Sequence, residues 1–474
     1  MHSVADSLAR LREIAASEPV ARLANAFAEA GYQLALVGGP VRDALLDRPV
    51  NDLDFTTNAR PDDILRVVKP LASAHWDIGR AFGTIGARIG DHTVEITTYR
   101  SDSYDASSRK PDVVFGDTLD GDLVRRDFTV NALALRLPDI VLVDPSGGVE
   151  DLLAGVLRTP ISPEVSFGDD PLRMLRAARF AAQLGFTVSE ETVNAMRGMR
   201  ERIAIISAER VRDELSKLLL SATPRPGIEL LVDTALADIV LPEIPALRLE
   251  IDEHHHHKDV YQHSLTVLDQ AIGYERQRHP GDKPDLVLRL AAILHDIGKP
   301  ATRRLEPGGA VSFYHHDMVG AKLARKRLRA LRFDNDTIAA VSRLIELHLR
   351  FFGYTDGAWT DSAVRRYVRD AGDQLERLHM LTRADVTTRN RRKADRLGFA
   401  YDDLEERIAV LAEEEQLNAV RPDLDGQDVM RILDLKPGPQ VGQAMKFLLE
   451  LRLDNGPLGP EEAERRLREW AAQN

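Results

Sequence analysis

Two carboxylates one residue apart follow a glycine turn and a short apolar run near the start of the chain. The segment from Leu36 to Thr57 reads LVGGPVRDALLDRPVNDLDFTT and contains Asp52 and Asp54. On a strand, residues i and i+2 share a face, so both carboxylates point the same way. They repel each other unless a cation lies between them, and Mg²⁺ commonly bridges carboxylates to substrate phosphates. The pair therefore predicts a magnesium site that activates a hydroxyl and stabilises a leaving pyrophosphate.

The residues before this pair predict a triphosphate site. Gly38 and Gly39 lie between a predicted strand at 32–37 and a helix that Pro40 begins, because proline suits the first helical position. Glycines let backbone amides approach phosphate oxygens at the positive N-terminus of a helix. Arg42 adds a planar guanidinium that can hold a phosphate with two N–H groups.

A third carboxylate is a candidate for the same site. The segment Thr93–Tyr99 is rich in β-branched residues and predicts a strand. Glu95 lies in its middle, where a charge either supports the metal site or is exposed on an edge strand.

A later helix predicts how a base is chosen. Four charged residues recur at every third position after a helix-start signal: Asp170, Arg173, Arg176 and Arg179. Three arginines without a lysine favour planar recognition, although a solvated charged face is the simpler alternative. Cytosine and adenine present an amino donor beside a ring-nitrogen acceptor, which Asp170 and Arg173 can match. Uracil and guanine reverse that pattern and would leave a desolvated charge unpaired.

Five segments occur in the order seen in class II tRNA nucleotidyltransferases: LVGGPVRD…NDLDF, RRDFTVNALAL, DPSGGVEDLLAGVLR, DDPLRMLRAARFAAQLGF and AERVRDEL. Over about residues 20–230 the chain closely resembles these CCA-adding enzymes of the polymerase-β-type superfamily. The resemblance implies tRNA as acceptor, CTP and ATP as donors, and Mg²⁺ on Asp52 and Asp54. It also assigns the nucleotide contacts: the triphosphate to Gly39 and Arg42, phosphate and ribose to Arg126 and Asp127, and the base to Asp170 and Arg173, with Arg176 and Arg179 lining the pocket.

The family divides into CCA-, CC- and A-adding members. CC-adding members lack a flexible loop after the metal-bearing strands, whereas Arg100–Val114 is polar, loop-like and contains Tyr104, Asp105 and Arg109. A CC-only activity is therefore disfavoured. A-only addition and poly(A) polymerase activity stay open as alternatives to CCA addition.

The second half of the chain resembles the HD phosphohydrolase pattern in four residues: His263, His295, Asp296 and Asp385. Mixed imidazole and carboxylate ligands suit a divalent metal such as Mg²⁺, Mn²⁺, Fe or Ni²⁺, and His316 and His348 can add to the site. Such a site permits phosphatase or phosphodiesterase activity, or it belongs to a domain that only braces the enzyme. A different class of function is an HD phosphohydrolase whose front half merely binds RNA.

We predict an α+β chain with a small mixed β-sheet head at 1–145 and a helical neck at 146–250. An HD domain at 251–390 and a helical tail at 391–474, with tRNA contacts, complete it. In the tail, 425–442 has the pattern of two helices joined by a turn.

Composition limits the partners and the compartment. The 474 residues carry a net charge of −12, which argues against a general nucleic-acid binder, so tRNA must meet local basic patches. Two are candidates: Lys322, Arg325, Lys326, Arg327, Arg329 and Arg332; and Arg389, Arg391, Arg392 and Lys393. The chain has no cysteine and no apolar run of ~18 residues, so we expect a cytoplasmic protein without a membrane span. No obligate protein partner is predicted.

Overall fold

The computed structural model describes residues 4–50, 52–100, 115–116, 118–248, 259–307, 311–355, 359–388, 390–415 and 421–473. The chain divides into two compact units, Met1–Pro242 and Glu243–Asn474. The first combines a sheet with helices and the second is mostly helical, which confirms the predicted α+β class. The finer division into head, neck, HD domain and tail stays a prediction. The predicted loop with Tyr104, Asp105 and Arg109, and also Arg389, lie outside the described residues.

Seven strands of the first unit form one sheet: β1 (Leu34–Val37), β2 (Leu53–Thr57), β3 (Ala74–Trp76), β4 (Thr84–Ile89), β5 (His92–Thr98), β6 (Ala134–Leu137) and β7 (Val141–Val143). Their order is β3-β4-β5-β2-β1-β6-β7, with β2 and β5 parallel and the other neighbours antiparallel. Every residue of β1 is buried, as expected for a central strand of an apolar run. The register places Asp54 of β2 directly beside Glu95 of β5.

In the described part of the first unit, the helices are α1 (Val4–Ala16), α2 (Glu18–Glu29), α3 (Gly39–Leu45), α4 (Pro61–Val68), α5 (Leu119–Val124), α6 (Gly148–Ala154), α7 (Pro163–Asp169), α8 (Leu172–Leu184), α9 (Glu190–Met199), α10 (Ala208–Leu219), α11 (Arg225–Asp233) and α12 (Ala237–Val240). Short 3-10 helices lie at Arg80–Phe82, Thr129–Asn131 and Arg200–Ile205, and β8 (Val156–Leu157) pairs with β9 (Thr187–Val188).

Helix α8 has clear start and stop signals in the sequence. The Asp170 Oδ1 atom accepts a hydrogen bond of 3.1 Å from the backbone N–H of Leu172, which satisfies one free donor of the first turn. The helix ends at Gly185, whose φ of 71° is a left-handed conformation that glycine adopts without strain. Its apolar residues, Met174 and Phe180 among them, are buried, so the helix is fixed against the rest of the unit.

Among the residues described in the second unit, the helices are α13 (Val260–Arg278), α14 (Leu286–Leu294), α15 (Lys299–Thr302), α16 (His316–Ala330), α17 (Asn335–Leu347), α18 (Phe352–Thr355), α19 (Asp361–Ala371), α20 (Leu375–Ala384), α21 (Arg391–Glu415), α22 (Gly426–Leu433), α23 (Pro439–Asn455) and α24 (Pro460–Ala471). Two 3-10 helices (Pro245–Leu247 and Gly372–Gln374) and the hairpin of β10 (Arg304–Leu305) and β11 (Val311–Ser312) complete it. The predicted pair of helices in 425–442 corresponds to α22 and the start of α23. None of the described helices is both long and apolar enough to cross a membrane.

Gly298, which follows the His295-Asp296 pair, lies where the backbone approaches α16. A Cβ atom there would be 2.0 Å from the His316 carbonyl oxygen and 2.7 Å from the Gly320 nitrogen. We predict that Gly298→Ala lowers the free energy of unfolding of the second unit by about 1–3 kcal/mol or more, because backbone must move to admit the methyl group. Urea denaturation followed by circular dichroism measures the change.

Gly273, exposed on α13, provides the matched control. No atom lies within 4 Å of its would-be Cβ, so Gly273→Ala should stabilise the helix by about 0.5–1 kcal/mol. Equal effects of the two substitutions would show that the close approach at Gly298 is not a packing constraint.

Candidate active site and candidate metal centre

One cavity of about 730 Å³ in the first unit is lined by every residue that the sequence predicts for magnesium and nucleotide binding in the front half of the chain: Gly38, Gly39, Arg42, Asp52, Asp54, Glu95, Arg126, Asp127, Asp170, Arg173, Arg176 and Arg179. These residues come from the turn after β1 and from α3, from the start of β2, from the middle of β5, from the segment after α5, and from α8 and the residue pair before it. The structure thus brings the acidic pair and the arginine-bearing helix to the same space.

Three carboxylates form one wall of the cavity. Asp52 precedes β2, Asp54 lies on it, and Glu95 is the partner of Asp54 across the parallel pair of β2 and β5. Glu95 is exposed, but its strand lies between β4 and β2, so it is not an edge-strand residue. In the described part of the chain, triads of ligand atoms within 4.8 Å of one another occur in the second unit and not here. Mg²⁺ needs no such preformed cage, because it keeps waters and takes oxygens from substrate phosphates.

The charge of Asp54 is unfavourable at neutral pH. Burial and then repulsion from Glu95 raise the pKa of Asp54 to about 6, although Arg126 opposes the shift. A divalent cation among these oxygens would remove the repulsion, so the residues present fit a magnesium site.

Arg125 and Arg126 are held by a carboxylate that the sequence interpretation overlooked. Asp122 on α5 is fully buried, and its two oxygens accept hydrogen bonds of 3.0 Å from Arg125 and from Arg126. Burial alone would raise the pKa of Asp122, but the two arginines outweigh it and lower that pKa. The Arg126 guanidinium lies close to Gly38, where a Cβ would be 3.3 Å from its Nη1 atom. Asp122 thus positions Arg126 beside the glycine turn.

Asp127 is a structural anchor in the free protein. Its side chain is buried, and it accepts hydrogen bonds from Arg176 Nε at 2.7 Å and from Asn131 Nδ2 at 3.0 Å. Burial opposes its charge, but Arg176 and Asn131 hold the pKa of Asp127 well below its ordinary value. Asn131 also accepts a hydrogen bond of 2.6 Å from Arg42. Asp127 and Asn131 therefore connect the arginine of α3 to an arginine of α8.

The other arginines of α8 are also held. Arg173 donates to Ser166 Oγ at 2.8 Å and to the Arg125 carbonyl oxygen at 2.5 Å. Arg179 Nε donates to Glu214 of α10 at 2.6 Å, and its guanidinium lies 4.0 Å from the centre of the Phe180 ring. These contacts, with the bond from Arg176 to Asp127, fix Arg173, Arg176 and Arg179 in the absence of a nucleotide.

Asp170 has a partner that the sequence interpretation did not foresee. Its Oδ2 atom accepts a hydrogen bond of 3.0 Å from Arg210 Nη2, on α10. The sequence could have indicated that α10 presents charged residues to the site, because Arg210, Glu214 and Lys217 are spaced to share one helical face. Arg210 and Lys217 line the cavity, and Glu214 pairs with Arg179.

Six side chains of the second unit converge on a second site. They form two triads whose ligand atoms lie within 4.8 Å of one another: His263, His295 and Asp385; and Asp296, His316 and His348. The four residues of the predicted HD pattern are thus brought together, and His316 and His348 join them. His263 Nε2 lies 2.9 Å from Asp385 Oδ1 and 3.3 Å from His295 Nε2, and His316 Nε2 lies 3.3 Å from Asp296 Oδ1.

The orientation of the histidines suits metal binding. The Nδ1 atoms of His295, His316 and His348 lie within hydrogen-bond distance of backbone carbonyl oxygens, of Ala292, Phe313 and Ile345 respectively. Donation from Nδ1 leaves the lone pair of each Nε2 atom directed into the cluster, as in metal-binding histidines. Among the described residues, the buried Nε2 atoms of His316 and His348 have no acceptor or donor in hydrogen-bond geometry, although His316 Nε2 lies 3.3 Å from Asp296 Oδ1.

The cluster favours positive charge at its centre. Burial works against a charged imidazole, but Asp296 and Asp385 raise the pKa of His295 to about 10. Burial and the neighbouring His295 lower the pKa of His348 to about 4. One cation is therefore favoured and a second imidazolium is excluded, so the residues present fit a divalent metal.

Family models match three parts of the chain. The "Poly A polymerase head domain" matches residues 34–158, the "Probable RNA and SrmB- binding site of polymerase A" matches residues 185–247, and the "HD domain" matches residues 260–390. The A-adding tRNA nucleotidyltransferase of Deinococcus radiodurans is 36% identical over 93% of this chain and 96% of its own length. The chain belongs to the tRNA nucleotidyltransferase family.

Other members of the tRNA nucleotidyltransferase family are similar over different shares of the chain. The CC-adding enzyme of Thermus thermophilus is 31% identical over 92% of this chain and 93% of its own length. The CCA-adding enzyme of Lactobacillus helveticus is 42% identical over 45% of this chain and 52% of its own length. The chain is therefore a transferase with an HD domain.

Solved structures of family members share this fold. The CCA-adding enzyme of Bacillus stearothermophilus in complex with CTP has a TM-score of 0.69 and 23% identity, with 96% of this chain and 98% of that chain covered. The Thermotoga maritima CCA-adding enzyme complexed with tRNA has a TM-score of 0.62 and 20% identity, with 99% of both chains covered.

The pKa of Asp54 leads to a prediction about stability. The folded state binds the proton of this carboxyl more tightly than the unfolded state does, so its charge destabilises the fold above pH 6 and the penalty disappears toward pH 4. We predict that Asp54→Asn abolishes activity yet stabilises the protein by about 1–2 kcal/mol at pH 7.5 in EDTA, and that the gain vanishes at pH 4–5. Urea denaturation at several pH values measures it.

Asp91, an exposed carboxylate in the turn between β4 and β5, provides the control. Asp91→Asn should leave both activity and stability nearly unchanged. A loss of stability in Asp54→Asn at pH 7.5 would contradict the assigned repulsion.

Proposed function

We propose that this tRNA nucleotidyltransferase adds CMP and AMP from CTP and ATP to the 3′ end of tRNA, and so completes or repairs the CCA sequence. The observation that carries the proposal is the shared cavity, which is lined by Asp52 and Asp54 on one side and by Asp170 and Arg173 on the other. A nucleotide whose base contacts the start of α8 can then present its triphosphate to the carboxylates.

The catalytic roles follow from the position of each group. Mg²⁺ held by Asp52 and Asp54 would activate the terminal hydroxyl of tRNA and stabilise pyrophosphate in a two-metal transfer. Glu95 supports these carboxylates from the neighbouring strand. The backbone at Gly38 and Gly39, together with Arg42 and Arg126, surrounds the triphosphate, and Asp127 reaches the ribose while it anchors Arg176.

Base selection is assigned to Asp170 and Arg173. Two of the five guanidinium N–H groups of Arg173 suffice for its bonds to Ser166 Oγ and the Arg125 carbonyl, which hold its plane and leave N–H groups for a ring nitrogen. Each oxygen of Asp170 has a second lone pair that can accept from the amino group of cytosine or adenine. Arg176 and Arg179 line the same pocket and maintain its positive potential.

A-only addition is the second candidate. It is supported by the similarity of nearly the whole chain to the A-adding enzyme of Deinococcus radiodurans. Similarity over the same length to the CC-adding enzyme of Thermus thermophilus shows that overall likeness does not fix which nucleotides are added. We favour CCA addition because Asp170 and Arg173 fit the common edge of both bases.

Incubation of the purified chain with tRNAs that end before CCA, after the first C, or after CC decides between these candidates. We expect labelled CTP to extend the first two substrates and ATP to extend the third. In the same assay, Arg173→Ala should lower kcat/KM for both CTP and ATP, by an amount that corresponds to about 1–3 kcal/mol of transition-state stabilisation. The variant should also reject UTP and GTP less well. Incorporation of ATP alone contradicts CCA addition, and long A tails would indicate a poly(A) polymerase.

We further propose that the six clustered side chains of the second unit bind a divalent metal and hydrolyse phosphate esters. We call them the HD cluster: His263, His295, Asp296, His316, His348 and Asp385. The proposal is supported by the two buried Nε2 atoms that have no acceptor or donor in hydrogen-bond geometry among the described residues, and by the fixed Nδ1 contacts of three histidines. His263, His295, Asp296 and Asp385 would hold the metal, whose chemistry there would be the activation of water. Lys299, whose Nζ atom is 2.9 Å from Asp296 Oδ2, lies at the same site. An HD domain that only braces the enzyme remains the alternative.

The two proposed sites should be separable by mutation. We expect Asp54→Ala to abolish nucleotide addition and to spare hydrolysis of p-nitrophenyl phosphate or of a 2′,3′-cyclic nucleotide. His348→Ala should abolish hydrolysis and lower bound metal, measured by atomic emission, while nucleotide addition persists. Loss of both activities in either variant would contradict two independent sites. If the wild type binds metal but hydrolyses neither substrate, the HD domain has the structural role instead.

We also place this activity in the cytoplasm. The proposal is supported by the absence of cysteine from the whole sequence and by the tRNA substrate.

A further inference from the structure

One face of α16 carries four exposed cations in a row. Lys322, Arg325, Lys326 and Arg329 are spaced i, i+3, i+4 and i+7, which places them on one side of the helix. They line a common hollow of about 520 Å³ together with Ala330 and Arg332. We call these four residues the α16 basic face. The opposite face of α16, with Ala321, Ala324 and Leu328, is buried.

The α16 basic face has no counter-charge in the part of the unit that the structure describes: none of its four side chains forms an ion pair or hydrogen bond there. The contrast on the same helix is Arg327, whose Nε atom lies 2.9 Å from each carboxylate oxygen of Glu243. Most other arginines of α19, α20 and α24 are paired similarly, as in the pairs Arg366–Glu450 and Arg468–Glu464.

This arrangement is unfavourable for the isolated protein. Lys322 with Lys326, and Arg325 with Arg329, are like-charged pairs four residues apart, and each such pair destabilises a helix by about 0.2–0.5 kcal/mol. The position near the C-terminal end of α16 offsets part of this repulsion through the helix dipole. Stability alone does not account for four unpaired cations in a chain of net charge −12, but an anionic partner does.

The chemistry of the face favours the backbone of a folded RNA. The four cations extend over roughly 10 Å of the helix axis, and long flexible side chains over a shallow hollow suit several neighbouring phosphates. A membrane surface is disfavoured, because a helix that lies in lipid needs an exposed apolar face beside its cations, and the apolar side of α16 is buried within the protein.

We propose that the α16 basic face is a docking surface for the phosphate backbone of the tRNA substrate. The inference rests on the proposed function, since it takes tRNA as the acceptor. It assigns to the second unit a share of RNA binding that is separate from any chemistry of the HD cluster. The face binds RNA by charge and shape, so it contributes affinity without selecting the nucleotide that is added.

The test replaces all four residues: Lys322→Gln, Arg325→Gln, Lys326→Gln and Arg329→Gln in one full-length variant. Glutamine keeps helix propensity similar, so the fold should be unchanged or slightly more stable. We expect the Kd for tRNA at about 0.1 M salt to rise about tenfold or more, and the slope of log K against log salt to fall by about 3, since each phosphate contact contributes roughly 0.7–0.9. KM for tRNA should rise while kcat at saturating tRNA stays the same.

A variant with the same change in net charge provides the control. Arg22, Arg66, Lys69 and Arg88 are exposed in the first unit and outside the wall of its cavity, and each becomes glutamine. This control should keep nearly the wild-type Kd and salt slope. Equal effects of the two variants would overturn the proposal, because overall charge would then explain the loss. So would an unchanged Kd with a lower kcat, or lost binding to anionic vesicles with tRNA binding intact.

The measurement of tRNA affinity is independent of nucleotide addition, so the two proposals can fail separately. If the wild-type chain incorporates neither CTP nor ATP, CCA and A addition both fail. The α16 basic face still stands if its variant alone loses tRNA affinity and salt dependence.

Discussion

Two buried carboxylates hold Arg176 and Arg179 of α8 in the wall of the cavity. Asp127 pairs with Arg176, and Glu214 pairs with Arg179. The side chains of both carboxylates are almost fully buried. Removal of one partner from a buried pair typically costs about 3–5 kcal/mol, because the remaining charge is left without compensation. The carboxylates come from different elements, one after α5 and one on α10, so the helix is fixed from two directions. Its distance from the strands that carry Asp54 and Glu95 is thereby set.

The acidic wall of the same cavity has the opposite electrostatics. Asp54 lies beside Glu95 and near Asp52, and burial first, then repulsion from Glu95 and from Asp52, raises the pKa of Asp54. The pocket thus combines arginines that are already hydrogen-bonded with strand carboxylates whose mutual repulsion a divalent cation would relieve. The HD cluster repeats the principle, because its two aspartates favour one positive charge among four imidazoles. In both places the protein accepts a local cost that a bound cation relieves.

The sequence predicted those parts of the site that depend on local periodicity. Asp52 with Asp54 follows from the two-residue period of a strand, and Asp170 with Arg173 follows from the turn of a helix, so both were predictable without a fold. The buried pairs were not, because Arg176 and Asp127 are 49 residues apart and Arg179 and Glu214 are 35 apart. Asp122 is different, since its spacing to Arg125 and Arg126 is that of neighbours on a helix and could have been used. A buried arginine needs hydrogen-bond acceptors, often a carboxylate, but the sequence does not say which ones the fold delivers.

The pairing of Asp170 with Arg210 bears on how a base is read. Asp170 Oδ1 caps the start of α8 and Oδ2 accepts from Arg210, so neither oxygen is idle in the free protein. Because each carboxylate oxygen can accept more than one hydrogen bond, an incoming amino group need not displace either partner. The two existing bonds then determine the direction in which the remaining lone pairs point. Arg210, on a different helix, thus fixes the orientation of Asp170, and under the proposed base contact a shift of α10 relative to α8 would change which base edge the carboxylate accepts.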